Sequence, residues 1–151
     1  MSQSLVQVYL HLVFSTKNRQ PFLKDIGFRE RTHVYLAGTC NKLETPAIKV
    51  GGVEDHVHIL CRLAKTLDIS TLIREIKRES SKWVKDECPA LSEFHWQAGY
   101  GAFSISPSHV DELVRYIENQ VEHHKVESFQ DEFRRLCAKY GVAIDERYVW
   151  D

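Results

Sequence analysis

The chain has 151 residues, with 20 Lys and Arg against 21 Asp and Glu and a formal net charge of −1. That length fits one domain, 1–151, whose core buries roughly two-thirds of the unfolded surface, and the charge excludes nucleic-acid binding through a global positive field, leaving only a local patch with shaped contacts. Cys40, Cys61, Cys88 and Cys137 form no C-x-x-C pair, the N-terminus shows no signal-type segment, and no apolar run approaches about 20 residues, so the expectation is a soluble cytoplasmic protein with reduced thiols and no membrane partner.

Residues 5–15 alternate Val6, Val8, Leu10, Leu12 and Phe14 against Leu5, Gln7, Tyr9, His11 and Val13, which predicts a strand buried on one side with His11 on its more polar side. From about Leu23 to Leu43, apolar residues at 26, 34, 37, 40 and 43 predict a helix, weakened by Gly27 and Gly38. Thr45-Pro46 ends it, Ala47 to Val50 makes a short strand, and Gly51-Gly52 turns the chain into the next strand, Glu54-Asp55-His56-Val57-His58-Ile59-Leu60. Strand side chains alternate, so His56 and His58 share one face while Val57, Ile59 and Cys61 take the other. Two imidazoles on one face are often coincidence, but they are also half of a metal site; Asp55 and Glu54 stand where they can orient the rings or simply face solvent.

The clearest helix follows. Asp68 or Ser70 caps it, Ile69, Leu72, Ile73, Ile76, Ser80, Trp83 and Val84 make its buried stripe, and Cys88-Pro89 stops it. Its other side carries Arg74, Arg78, Lys82 and Lys85, either a solvated face or a DNA-binding row. Phe94 to Ser106 reads as a strand with Trp96 and Tyr100 on one side, as core packing or as platforms for unpaired bases, and with Gly99 and Gly101 permitting a bulge or a close approach.

Ser106-Pro107 opens another helix, with Val110, Leu113, Val114, Ile117 and Val121 as its apolar stripe at about 100° per residue. Tyr116 and Gln120 lie one turn apart on a flank of that stripe, free to face a site beside the core. His123 shares the flank, where it contacts phosphate or metal or only solvent. Phe129, Phe133, Leu136 and Cys137 predict a last helix ending near Tyr140-Gly141, and the apolar tail Tyr148-Val149-Trp150 is expected to dock.

Three features together resemble a known family: His-x-His on a strand, the run Trp96-Gln97-Ala98-Gly99-Tyr100-Gly101-Ala102-Phe103-Ser104-Ile105-Ser106, and Tyr-x-x-x-Gln on a helix. They are similar to the HUH-superfamily single-tyrosine insertion-sequence transposases of the small bacterial transposase A type, related to REP-associated tyrosine transposases. The likeness extends from His11-Leu12-Val13-Phe14-Ser15-Thr16-Lys17-Asn18-Arg19 to Tyr148-Val149-Trp150. The order of elements suggests an α+β, ferredoxin-like split βαβ sandwich: a central antiparallel or mixed sheet, helices on one face and a C-terminal catalytic helix. The resemblance implies the same layout, with the first and third strands neighbours at the sheet centre.

The resemblance also implies roles. Tyr116 is the nucleophile, His56, His58 and Gln120 bind Mg2+ or Mn2+, and a 5′-phosphotyrosyl link with a free 3′ hydroxyl carries strand transfer. The substrate is single-stranded DNA with hairpins, handled by a homodimer in which the histidine pair of one subunit meets the tyrosine helix of the other. Such chemistry makes physical sense: a phenol with a pKa near 10 is ionised about one part in a thousand at neutral pH, a deficit of roughly 4 kcal/mol that a nearby cation offsets. Imidazoles suit manganese, nickel or zinc, whereas magnesium leans on oxygen donors such as the Gln120 carbonyl. The alternatives are a domesticated palindrome-processing relative, a replication initiator of the superfamily, an inactive single-strand DNA-binding module, and a metal hydrolase in which Tyr116 has no role.

Overall fold

The structure is a computed structural model and describes residues 2–151. Four strands, β1 (Tyr9–Ser15), β2 (Ala47–Gly52), β3 (His56–Arg62) and β4 (Gly101–Ile105), form one antiparallel sheet in the order β2-β3-β1-β4. The helices are α1 (Ile26–Lys42), α2 (Ile69–Glu87), α3 (Val110–Glu118), α4 (Gln120–His123) and α5 (Phe129–Lys139). This is the split βαβ arrangement, with β1 and β3 adjacent at the centre and Val13 opposite His58. None of these helices is long and apolar enough to cross a membrane.

Alternation along the two central strands sorts the interior. Leu10, Leu12 and Phe14 of β1 and Val57, Ile59 and Cys61 of β3 share a face with Leu36 and Cys40 of α1 and Leu72, Ile73, Ile76 and Val84 of α2. The other face carries two smaller apolar clusters. Val13 and Phe103 pack under Phe129, Phe133, Leu136 and Cys137 of α5, and Leu60 packs under Leu113 and Ile117 of α3. His11, His56 and His58 belong to that second face and are buried with Gln120 and Glu132. Helices therefore cover both faces of the sheet.

α2 is built as its pattern requires: the Asp68 carboxylate accepts the Thr71 amide at 2.7 Å as N-cap, and the buried positions are Leu72, Ile73, Ile76, Ser80 and Val84. α1 exists where expected but turns a different side inward. Val34 is 73% exposed and Ile26 is also exposed, whereas Arg29, Thr32, Leu36, Thr39 and Cys40 are buried. Polar residues can occupy the buried side because their bonds are made locally: Thr32 and Thr39 hydroxyls donate to the Phe28 and Tyr35 carbonyls, and Arg29 Nε donates to the Leu23 carbonyl at 2.8 Å.

Three other expectations are corrected. β1 starts at Tyr9 rather than at residue 5, and Leu5 is 82% exposed. β4 is only Gly101–Ile105; Phe94 and Trp96 precede it as core residues, Trp96 bridging Thr16 by backbone. Helix α3 ends at Glu118, because the backbone leaves helical geometry at Asn119 (φ −93°, ψ 16°) before α4 begins. In an uninterrupted helix, Val121 would lie nearer than Gln120 to the Ile117 stripe. The break reverses this, burying Gln120 and leaving Val121 exposed.

Gly51 and Gly52 lie inside β2, and the turn falls on the residues after them. Their smallness serves packing: a Cβ on Gly51 would stand 2.7 Å from both the Cγ2 and the carbonyl oxygen of Ile117. Gly101 admits the Phe133 ring in the same way, with a Cβ 2.7 Å from its Cε1.

Gly51→Ala is expected to cost about 1–3 kcal/mol, because α3 must retreat from the sheet, and so to lower the melting temperature by roughly 3–10 °C. Gly38→Ala, where nothing lies within 4 Å of the added Cβ, is the control and should not destabilise. Equal melting temperatures for wild type and Gly51→Ala in a thermal scan would contradict the close approach.

A second prediction concerns acid. Burial first, then the Arg29 and Lys49 charges, push the His33 imidazole down to about 4, and its Nε2 has no partner. An unfolded histidine titrates near 6.5, so this contribution to stability is whole above that pH. It falls away between about 6.5 and 4, as the unfolded chain takes a proton that the folded chain refuses. His33→Gln should therefore lose about 1–3 kcal/mol less stability than wild type between pH 7 and 4.5 in urea unfolding, after allowance for partial exposure. Parallel pH profiles would exclude His33 as the source.

Candidate active site

The site is assembled around Glu132, a carboxylate with no exposed surface. It stands on α5 among Phe129, Phe133 and Leu136, on the side of the helix that packs against the sheet. Its Oε1 faces three imidazoles: His58 Nε2 at 3.0 Å, His124 Nε2 at 3.1 Å and His56 Nε2 at 3.3 Å. Its Oε2 accepts the Gln120 amide at 3.1 Å and the Tyr116 hydroxyl. One carboxylate thus touches each of the four residues that the sequence nominated for catalysis and metal binding.

The histidine pair is also held from behind. Asp55 Oδ1 lies 2.7 Å from His56 Nδ1, and His11 Nε2 lies 2.8 Å from His58 Nδ1, the first from the loop before β3 and the second from across the β1–β3 ladder. His56 Nε2 faces Gln120 Oε1 at 3.1 Å as well as Glu132. His124 Nε2 makes no hydrogen bond although it is buried, and neither does His11 Nδ1.

Burial and charge set the protonation pattern. Burial pulls the His56 imidazole down, but Asp55 and Glu132 outweigh it together and leave it at about 9. For His58 burial prevails over the attraction of Glu132, so its imidazole is held below the ordinary range; the same burial, with His58 alongside, depresses His11 further. Burial alone would raise the Glu132 carboxyl, but His58, His124 and His56 bring it well below the carboxylate range. Tyr116 moves the other way: burial, then the Glu132 charge, raises its phenol well above 10. Ordinary proton loss to water is thus suppressed at Tyr116.

On its outer side the phenol meets Arg135, whose Nη2 donates to the Tyr116 oxygen at 2.8 Å while Glu127 holds the same guanidinium. His123 Nε2 is 2.6 Å from Glu127 Oε1, and its ring centroid is 5.3 Å from that of Tyr116, so it borders that phenol. A cleft of about 320 Å³ opens beside Tyr116 and is lined by His11, Ser104, His109, Arg135 and Lys139 among others.

Of the residues named from sequence, His56, His58, Tyr116 and Gln120 are brought together within one chain, with His123 at the edge. The remaining nominees for DNA contact are not. Arg74, Arg78 and Lys82 lie on α2, which packs on the opposite face of the sheet, and they pair with Glu75, Glu79 and Asp86 at the surface. Trp96 is in the core, edge-on to Phe14 and Phe94, with its Nε1 donating to Ser80 Oγ at 2.9 Å, so it offers no face to a base. Tyr100 is partly exposed, with Lys77 Nζ 5.8 Å from its ring centroid, away from the cluster around Glu132.

Sequence reasoning missed Glu132, His124 and Arg135. For Glu132 a signal existed, since Phe129, Glu132, Phe133 and Leu136 are spaced i, i+3, i+4, i+7, and a carboxylate on a buried stripe demands charged or hydrogen-bonding partners.

His56, His58, His124 and Glu132 each offer one donor atom, all within 4.8 Å of one another, and three nitrogens with one carboxylate oxygen are a donor set able to hold a divalent cation. Orphaned His124 Nε2, aimed into the set, fits such a cation.

The family described as IS200-like transposase matches residues 4–120, and the chain belongs to that family. No curated protein sequence matches it significantly. Among solved structures it is similar to a candidate transposase from Deinococcus radiodurans R1, with a TM-score of 0.64 and 20% identity over 80% of this chain and 98% of the other. It is also similar to a REP-associated tyrosine transposase bound to a REP hairpin, with a TM-score of 0.57 and 17% identity over 82% of this chain and 74% of the other. Both have the same fold as this chain.

Proposed function

We propose that this transposase cleaves and rejoins single-stranded DNA at hairpin-bearing element ends, with Tyr116 as nucleophile and a 5′-phosphotyrosine intermediate. The observation that carries the reading is the meeting of the Tyr116 hydroxyl, the Gln120 carboxamide and the His56–His58 pair on one buried carboxylate. A hydrolase using the histidines with water would leave that tyrosine unexplained. An inactive binding module would leave a buried charged cluster with no task.

In the proposed reaction the Tyr116 oxygen bonds to phosphorus and the bond from phosphorus to the 3′ oxygen breaks, leaving a free 3′ hydroxyl and a covalent 5′ link. The phenolic proton ends on the departing 3′ oxygen, which leaves as the hydroxyl, while Glu132 Oε2, which accepts the phenol's hydrogen bond, orients the attacking oxygen. Arg135 stabilises the oxygen as its charge develops, and Arg135 and Lys139 bring positive charge to the adjoining cleft, which also holds Glu112. A divalent cation, Mg2+ or Mn2+, held by His56, His58 and Gln120 would draw charge from the phosphate oxygens and steady the leaving 3′ oxygen. Because the link conserves the energy of the broken bond, a second 3′ hydroxyl can displace Tyr116 without ATP.

The working form is proposed to be a homodimer acting in the cytoplasm, with the whole chain as one unit, because Glu132 lies on α5. Exchange of tyrosine helices between subunits is not needed to bring phenol and imidazoles together, since one chain already holds them side by side. The hairpin-bound relative supports a hairpin-bearing DNA partner.

With a hairpin-bearing single strand and Mn2+, wild-type protein is expected to form an adduct that survives denaturing electrophoresis. Tyr116→Phe should lower adduct formation by at least a thousandfold yet bind the same strand within a few-fold, and an undiminished adduct would remove Tyr116 from the chemistry. Chelation with EDTA should stop cleavage and added Mn2+ restore it; turnover unaffected by the chelator would contradict the need for a cation.

A further inference from the structure

We infer that His124 and Glu132 are metal ligands alongside His56 and His58, so that the site is a three-histidine, one-carboxylate centre that favours Mn2+ and other transition-metal ions over Mg2+. The inference rests on the reading above in one respect, that His56 and His58 bind the ion. It extends the ligand set past the Tyr-x-x-x-Gln motif, into the part of the chain beyond the residues matched by the family.

The spacing of the donor atoms fits a bound ion. Ligand atoms about 2.1 Å from a common ion lie roughly 3.0–3.4 Å from their neighbours in octahedral or tetrahedral arrangements. Glu132 Oε1 is 3.0, 3.1 and 3.3 Å from the three imidazole Nε2 atoms, and His56 Nε2 is 3.1 Å from Gln120 Oε1.

Hydrogen bonding would give similar distances and satisfies His56, whose Nδ1 faces Asp55 and whose Nε2 faces Gln120 Oε1 and Glu132 Oε1, but it leaves His124 unexplained. His124 has a side chain only 9% exposed, and its Nε2 lies 3.1 Å from Glu132 Oε1 without the angle of a hydrogen bond. A buried ring nitrogen aimed into a dry cluster and left without a hydrogen bond is accounted for by a cation at the centre.

The histidine pair is also supported from behind. Metal-bound imidazoles are characteristically held at their other nitrogen by a carboxylate or another polar group. Asp55 does this for His56, and His11 does it for His58. Three imidazoles favour manganese, iron, cobalt, nickel or zinc over magnesium, which prefers an all-oxygen shell and keeps its waters. An ion bound by His124 and Glu132 also ties α5 to β3.

The test is calorimetric titration of the metal-free full-length protein with Mn2+ and Co2+, with excess Mg2+ present, together with the visible spectrum of the Co2+ form. Wild type should bind one ion per chain despite the Mg2+ and give the intense band of nitrogen-rich, low-coordinate cobalt. His124→Ala and Glu132→Gln should each weaken binding at least tenfold and change the spectrum. Metal-free melting curves are recorded beside them; His124→Ala, which keeps the carboxylate in place, separates lost ligation from lost folding if Glu132→Gln fails to fold. Undiminished affinity and an unchanged spectrum in His124→Ala, with binding abolished in His56→Ala, would overturn the enlarged ligand set and leave the two-histidine reading standing. No binding by wild type would overturn both, and displacement of the ion by equimolar Mg2+ would overturn the transition-metal preference.

Discussion

A carboxylate without solvent contact, placed among aromatic side chains, is the constraint on which the second face of this sheet depends. Moving an isolated carboxylate out of water costs several kcal/mol even after relaxation, and only matched partners recover that cost. Glu132 has six groups within reach, from β3, α3, α4 and the segment that follows α4. Those elements are therefore interdependent: displacing any one takes a partner from a charge in a dry interior.

The sheet explains why the polar strip can exist at all. The face under α1 and α2 is continuously apolar and supplies most of the hydrophobic burial. The opposite face divides into a patch under α5 and a patch under α3, and the histidines lie in the seam between them. A seam between two docked helices is dry enough to strengthen electrostatic contacts, yet it lies next to an open cleft at Tyr116. Local stability and chemical readiness are thus assigned to different faces of the same four strands.

What could be read beforehand follows from how local each cause was. Strand alternation alone put His56 and His58 together, and the stripe of α2 with its Asp68 cap needed nothing from the rest of the chain. The inward side of α1 was illegible because Thr32, Thr39 and Arg29 meet their hydrogen-bonding needs within a few residues, so hydrophobicity does not mark the buried side. No Gly or Pro announced the break at Asn119, although that break turns Gln120 inward. Trp96 and Tyr100 were grouped by a strand period that starts only at Gly101. Glu132 is hidden in the sequence because His56 and His58 lie 76 and 74 residues away, on a strand whose position relative to α5 no local pattern reveals, and His124 is hidden with it because its charge partner is Glu132.

The limit of the family match sharpens this point. Residues 4–120 contain the histidine pair, the tyrosine and the glutamine, yet in that segment alone the imidazoles would meet Tyr116 and Gln120 without the carboxylate that joins them. What closes the site comes afterwards. Phe129 and Phe133 dock α5 on β1 and β4, with Gly101 hollowed to receive the Phe133 ring. Docking at those apolar positions fixes the height of Glu132 above β3, since the carboxylate lies on the same turn of helix as Phe133. Hydrophobic packing that is remote from the chemistry therefore sets the distance between carboxylate and imidazoles, and a change of one methyl group at the Gly101–Phe133 contact would be transmitted to the donor atoms themselves.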